Sequence, residues 1–112
     1  MRRMSRLRRL VLSDRFFFIT CRVHRLRRNL TEPEFECLAE VLRERRKTHR
    51  FLLTAWVFLP DHWHAIIFPR SPRCISRVME AIKVAATRLI NARRSERGVL
   101  LQGRFSIGRC AR

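Results

Sequence analysis

Val57-Phe58-Leu59-Pro60-Asp61-His62-Trp63-His64-Ala65-Ile66-Ile67 is the stretch that decides how this chain folds. One apolar run ends at Pro60-Asp61 and a second begins at once. Proline cannot donate to a sheet ladder and aspartate favours turns, so the dipeptide closes one strand and opens another. The link is too short for a crossover, and the two strands, 51–59 and 62–68, are predicted to form an antiparallel hairpin. Strand alternation then puts His62, His64, Ile66 and Phe68 on one side and Trp63, Ala65 and Ile67 on the other. The two imidazoles point the same way, with Cα atoms about 6.5–7 Å apart. Both sides are apolar beyond the histidines.

Working outward, 16–23 is aromatic and β-branched with little polar alternation, the pattern of a buried strand. A basic loop covers 24–29. Thr31, with Glu34 three residues on and Pro33 in the first turn, starts a helix that runs to about Thr48. Its apolar stripe is Phe35, Leu38, Val41 and Leu42. Glu32, Glu34 and Glu36 gather early and Arg45, Arg46 and Lys47 late, as the helix dipole prefers. Beyond the hairpin, 69–72 is a loop. Ile75, Val78, Met79, Ile82, Ala86, Leu89 and Ile90 mark a second amphipathic helix over about 74–93. A weak final strand is expected at 99–105, and 106–112 shows no pattern.

The order β-α-β-β-α-β predicts an α+β, ferredoxin-like fold: a four-stranded antiparallel sheet with two helices on one face. The organisation reads as a basic N-terminal arm (1–15), one domain (16–105) and a basic tail (106–112). The other sheet face is left open, yet it is too apolar to suit water. It calls for a cover that this sequence does not supply, so low solubility or self-association through that face is expected.

The chain has 112 residues, enough for one domain. It carries 26 Lys+Arg against 9 Asp+Glu, a formal charge of +17 and a pI near 11.9, and its only lysines are Lys47 and Lys83. Such a balance points to a polyanion, most simply nucleic acid, with an acidic membrane surface second. Cys21, Cys37, Cys74 and Cys110 form no C-x-x-C pair, so neither a zinc knuckle nor a thioredoxin-like site is expected. Free thiols in a reducing cytoplasm are the expectation. No run is long enough to span a membrane, and Leu10-Val11-Leu12 is too short for a signal-peptide core.

In a basic chain the histidine pair acquires a specific chemistry. Neutral imidazole binds divalent transition metals. A cation held by His62 and His64 would polarise a phosphate oxygen and stabilise charge developing in phosphoryl transfer. An H-x-H pair alone is more often two strand histidines making ordinary hydrogen bonds; its setting after Leu59-Pro60-Asp61 in a basic domain favours the metal reading.

Phe58-Leu59-Pro60-Asp61-His62-Trp63-His64-Ala65 resembles the HUH signature of the single-tyrosine transposases, and the chain most resembles the REP-associated tyrosine transposases, bacterial relatives of the small insertion-sequence transposases. Phe17-Phe18-Ile19-Thr20 is similar to that family's opening strand. Ile75-Ser76-Arg77-Val78-Met79-Glu80-Ala81-Ile82-Lys83 is similar to its second-helix signature. Leu101-Gln102-Gly103-Arg104-Phe105 is similar to its Trp-Gln-x-Arg-Phe segment. The resemblance implies cutting and rejoining of single-stranded DNA next to a palindromic hairpin. His62 and His64 would hold Mg²⁺ or Mn²⁺ at the scissile phosphate while a tyrosine forms a covalent phosphotyrosine link. Lys83 matches a family lysine and, with Arg22, Arg25 and Arg104, is a candidate DNA contact. Asp61 and Trp63 are motif neighbours, and Trp63 is read as core. Gln102 matches a family glutamine to which no role is assigned.

The pattern breaks in one place. The chain contains no tyrosine, and Leu101 replaces the motif's tryptophan. In the family the nucleophile lies on a helix beyond the Trp-Gln-x-Arg-Phe segment, whereas here seven residues follow Phe105. The expectation is a truncated or frameshifted copy with impaired catalysis and no catalytic residue of its own. Ser95, Ser106, Thr87 and Cys110 could serve as nucleophiles by chemistry, but none has an activating context. Three functions stay open: a transposase-like DNA-binding domain, a non-catalytic nucleic-acid-binding module and a metal-dependent phosphoesterase. The third lacks obvious carboxylate ligands, since Asp61 would face away from the histidines in a regular strand.

Overall fold

A computed structural model describes residues 12–102 and 105–108. The elements run β1 (Phe17–Arg22), α1 (Glu32–His49), β2 (Phe51–Phe58), β3 (His62–Pro69), α2 (Ile75–Arg94) and β4 (Ser106–Gly108). The sheet order is β2-β3-β1-β4 with every pairing antiparallel. This is the predicted ferredoxin-like α+β arrangement. The expected basic arm lies largely outside the described residues, as do Arg104, Cys110 and most of the tail.

The final strand departs from expectation. It forms at Ser106–Gly108, where Ile107 pairs with Ile19, and not over 99–105. Leu100 and Leu101 read as strand because they are apolar. They are instead buried in the core, and Leu101 makes only an isolated bridge to Val23.

α1 begins where the N-terminal signal predicts. Glu34 Oε1 accepts the Thr31 N–H at 3.0 Å, and Pro33 sits in the first turn. Arg50 in the left-handed region ends the helix. Cys37, Leu38, Val41 and Leu42 are buried, and Phe35 stacks on Phe58 of β2 with centroids 5.9 Å apart. α2 buries Ile75, Val78, Met79, Ile82, Ala86 and Ile90. Each of the large aliphatic side chains contributes about 1.5–3 kcal/mol by leaving water. Leu89, expected in this stripe, lies at its margin, 37% exposed.

The helices cover one sheet face only. Phe17, Ile19 and Cys21 of β1 and Trp63, Ala65 and Ile67 of β3 point into that layer, all buried. Burial raises the Cys21 thiol to about 11, against the opposing pull of Lys83 and of the Trp63 side chain. Cys21, Cys37 and Cys74 are free thiols.

An ion network ties the two helices to the basic loop. Arg94 Nε donates to Glu34 Oε2 at 2.7 Å and Arg94 Nη2 to Oε1 at 2.8 Å, with side chains only 3% and 9% exposed. Arg94 Nη2 also reaches the carbonyls of Arg28 and Asn29. Arg27 donates to Glu96 and to the Val99 carbonyl, and Arg28 pairs with Glu96 at 3.0 Å. Arg27 and Arg94 are therefore structural and face protein, not solvent, while Arg28 stays exposed.

Candidate functional site

The uncovered face is ordered in rows by strand register. Arg22 lies opposite His62, then Thr20 opposite His64, then Phe18 opposite Ile66. On β2, Val57 faces His64, Ala55 faces Ile66 and Leu52 faces Phe68. The face thus grades from polar at the hairpin end to apolar at the other. Phe16, Phe18, Leu52 and Val57 remain 46%, 37%, 42% and 50% exposed. A one-residue irregularity between Leu53 and Ala55 adjusts the register of β2 along this row.

The histidines stand together at the polar end, as the alternation predicts. Their ring centroids are 4.8 Å apart with planes at 82°. The His64 ring lies nearly parallel to Phe18, centroids 5.2 Å apart. Each ring has one nitrogen engaged within the protein. His62 Nδ1 is 2.7 Å from Asp61 Oδ1, and His64 Nδ1 is 2.9 Å from Thr20 Oγ1. The bond to His62 holds the Asp61 carboxyl below its ordinary range. An ionised carboxylate can only accept, so His62 carries its proton on Nδ1 and, when neutral, leaves the Nε2 lone pair free. Thr20 can accept from His64 in the same way. Side chains that hold Nδ1 and leave Nε2 available are the usual supports of metal-binding imidazoles.

The two imidazoles could supply two ligands to a divalent cation. Among the described residues, no group of three or more His, Cys, Asp and Glu side chains could hold one. A cation held by the pair alone would have its remaining positions filled by water or phosphate oxygens, as hard divalent ions tolerate.

The aspartate differs from expectation. Asp61 precedes β3 at the bend, outside the strand's alternation, so its carboxylate is free to turn toward His62 instead of the opposite face. Trp63 is fully buried, in keeping with the core reading. Arg22 and Arg25 are exposed and line a pocket of about 290 Å³, whose wall also includes His24, Arg27, Asn29, Asp61 and Gln102. Lys83 is half-buried; its Nζ donates to the Gln102 carbonyl at 3.3 Å and lies 5.4 Å from the Phe105 ring centroid. It is engaged with the segment leading to β4 and stands apart from the histidines. Sequence reasoning missed Thr20, whose role needs the β1–β3 register, and the pairing of Asp61 with His62.

A family model described as IS200-like transposase matches residues 14–109. The chain belongs to the IS200-like transposase family. This agrees with the resemblance read from the histidine motif and its flanking segments. Two solved structures share the fold of this IS200-like domain. A REP-associated tyrosine transposase bound to a REP hairpin aligns at a TM-score of 0.71 with 22% identity, over 90% of this chain and 60% of that one. A candidate transposase from Deinococcus radiodurans R1 aligns at 0.74 with 15% identity, over 89% and 82%. The present chain thus spans 60% of the length of the hairpin-bound protein. No curated protein matches the chain. No helix among the described residues is long and apolar enough to cross a membrane.

Proposed function

We propose that this IS200-like chain is the metal- and DNA-holding part of a transposase, which binds single-stranded DNA beside a hairpin and draws its nucleophile from outside these 112 residues. The observation that carries the reading is the histidine pair: two adjacent imidazoles with both Nδ1 atoms engaged, on the uncovered face, in register with exposed Arg22. Family membership and the hairpin-bound relative support the choice of DNA, and of a hairpin in particular.

His62 and His64 would hold Mg²⁺ or Mn²⁺, with Asp61 and Thr20 fixing the ring orientations. The cation supplies Lewis-acid stabilisation of charge on the scissile phosphate. Arg22, beside His62, neutralises a phosphate oxygen of the same strand. The net charge of +17 raises the local concentration of nucleic acid. A tyrosine hydroxyl of the kind the family resemblance implies is not encoded in this sequence. Strand transfer would therefore need a tyrosine presented to the site by another segment or a second chain.

A second reading has its own observation. Phe16 and Phe18 lie exposed on the same sheet face, as the base-stacking aromatics of RNA-recognition sheets do. A non-catalytic module would bind through those rings and ignore the histidines.

The deciding experiment measures affinity for a hairpin with a single-stranded flank against a scrambled strand of equal length, for wild type and His62→Ala. Preference for the hairpin, lost or weakened in the variant when Mn²⁺ is present, supports the transposase reading. Equal affinities that fall steeply with salt and are untouched by the variant support the simple module.

A further inference from the structure

The end of the domain away from the histidines carries cations that the metal site does not use. Phe51 pairs with Pro69, which sets the C-terminus of α1 beside the turn that leads into α2. α1 and its cap bring Arg45, Arg46, Lys47 and Arg50 to this end, and the turn brings Arg70 and Arg73. The segment before β1 reaches the same end with Asp14 and Arg15, since Asp14 N–H donates to the Pro69 carbonyl at 2.7 Å. The Asp14 carboxylate accepts the Ser71 N–H at 3.1 Å. Among the described residues, Arg45, Arg46, Arg50, Arg70 and Arg73 form no ion pair, whereas Arg27 and Arg28 at the opposite end are held by Glu96.

The helix dipole favours cations in the last turn of α1. It does not explain Arg70 and Arg73, which a different segment supplies. Arg45 and His49 lie one turn apart on the same side of α1. Arg45 Nε is buried without a partner, a cost that an incoming acceptor would remove. His49 is half-buried, and burial, then Arg73 and Arg45, hold its pKa below the ordinary range. Two guanidiniums thus lie near one imidazole with no carboxylate to offset them. Guanidinium forks match phosphate oxygens. Without amide side chains beside them they suit a nucleic-acid backbone and not a base edge. The eight residues of β3 separate this end from the histidines by about 23 Å. A duplex advances about 3.4 Å per base pair, so a stem rooted at the histidines covers that distance in about seven pairs.

We propose that Arg45 and Arg73 form a second phosphate site, which grips the backbone of a hairpin stem about seven base pairs from the histidines. The proposal rests on the DNA reading above and adds to it an anchor at the far end of the domain.

The test uses the whole chain and fluorescein-labelled hairpins that share one single-stranded flank and differ in stem length, about four against about twelve base pairs. Fluorescence anisotropy over a range of salt gives the affinity and the number of ions released. Wild type binds the long stem more tightly, with a salt slope steeper by about two ions. Arg73→Gln, at an exposed turn position, loses about one of these ions, and Arg45→Gln about one more. Arg88→Gln, exposed on α2, keeps both. The long hairpin raises the His49 pKa, followed by NMR and assigned with His49→Gln, and the short hairpin leaves it unchanged. No gain with stem length, an equal loss in Arg88→Gln, or an unmoved His49 pKa overturns the proposal while leaving the DNA reading intact. Binding to phosphatidylserine vesicles that Arg73→Gln abolishes, with no gain from a longer stem, also overturns it and assigns the cluster to an acidic membrane. No binding of any hairpin by wild type overturns both.

Discussion

The two sides of β3 are made by alternate residues of one short segment, yet they do opposite work. Trp63, Ala65 and Ile67 are sealed under the helices. His62, His64, Ile66 and Phe68 stay half-buried on the uncovered face. The covered side holds the strand in place by apolar contact. The open side is then free to keep two imidazoles side by side, because their geometry is imposed by neighbours such as Thr20 and Asp61 and by the ladder itself. A rigid element is what a site needs when its groups must stay at fixed separation. Rigidity and function are separable here by a single residue step.

The sharpest way to break this comparison is to truncate each side in turn. Trp63→Ala leaves a large void and should destabilise the fold by about 3–5 kcal/mol, read by chemical denaturation. His64→Ala removes one partly solvated hydrogen bond and should cost about 1 kcal/mol or less, with an unchanged circular dichroism spectrum. A His64→Ala chain as unstable as Trp63→Ala would show that the two sides are not independent.

The next effect separates structural arginines from those offered to a ligand. Arg94→Met strands the buried Glu34 carboxylate and should cost about 3 kcal/mol. Arg25→Ala, at an exposed loop position, should leave stability within about 0.5 kcal/mol. The same pair gives a pH dependence. Bidentate bonding to Arg94 lowers the Glu34 pKa below its ordinary range. The resulting stabilisation is present above the ordinary carboxylate pKa of about 4.3. It is lost as pH falls through the lower folded value. Arg94→Met should flatten that acid limb; an unchanged limb would place the acid sensitivity elsewhere.

The smallest effect concerns thiols. Half-buried Cys74 should be alkylated in the folded protein, while Cys21 and Cys37 react only on unfolding, as peptide mapping would show. Early modification of Cys21 would mean that the covered layer opens locally.

Much of this was legible in the sequence for identifiable reasons. Long, strongly periodic segments declared α1 and α2, and Pro60-Asp61 fixed the hairpin that sets the histidines side by side. What was hidden depended on contacts between distant residues. β4 has only three residues, too few for a period to show, while the more apolar Leu100 and Leu101 drew the strand assignment toward themselves. Thr20 became a histidine partner only through the β1–β3 register. Asp61 escapes strand alternation because it precedes β3, in the bend, where its carboxylate reaches His62. Arg27 and Arg94 are internal ties, which composition cannot tell from solvated charges.

The central claim is that His62 and His64 together hold a divalent cation against DNA phosphate. The most direct measurement is the Mn²⁺ dependence of affinity for a hairpin with a single-stranded flank, compared between wild type and the His62→Ala/His64→Ala double variant. The account predicts that Mn²⁺ tightens wild-type binding and leaves the double variant unchanged, with both proteins alike when the metal is chelated. The same Mn²⁺ response in both proteins, or none in wild type, would contradict it.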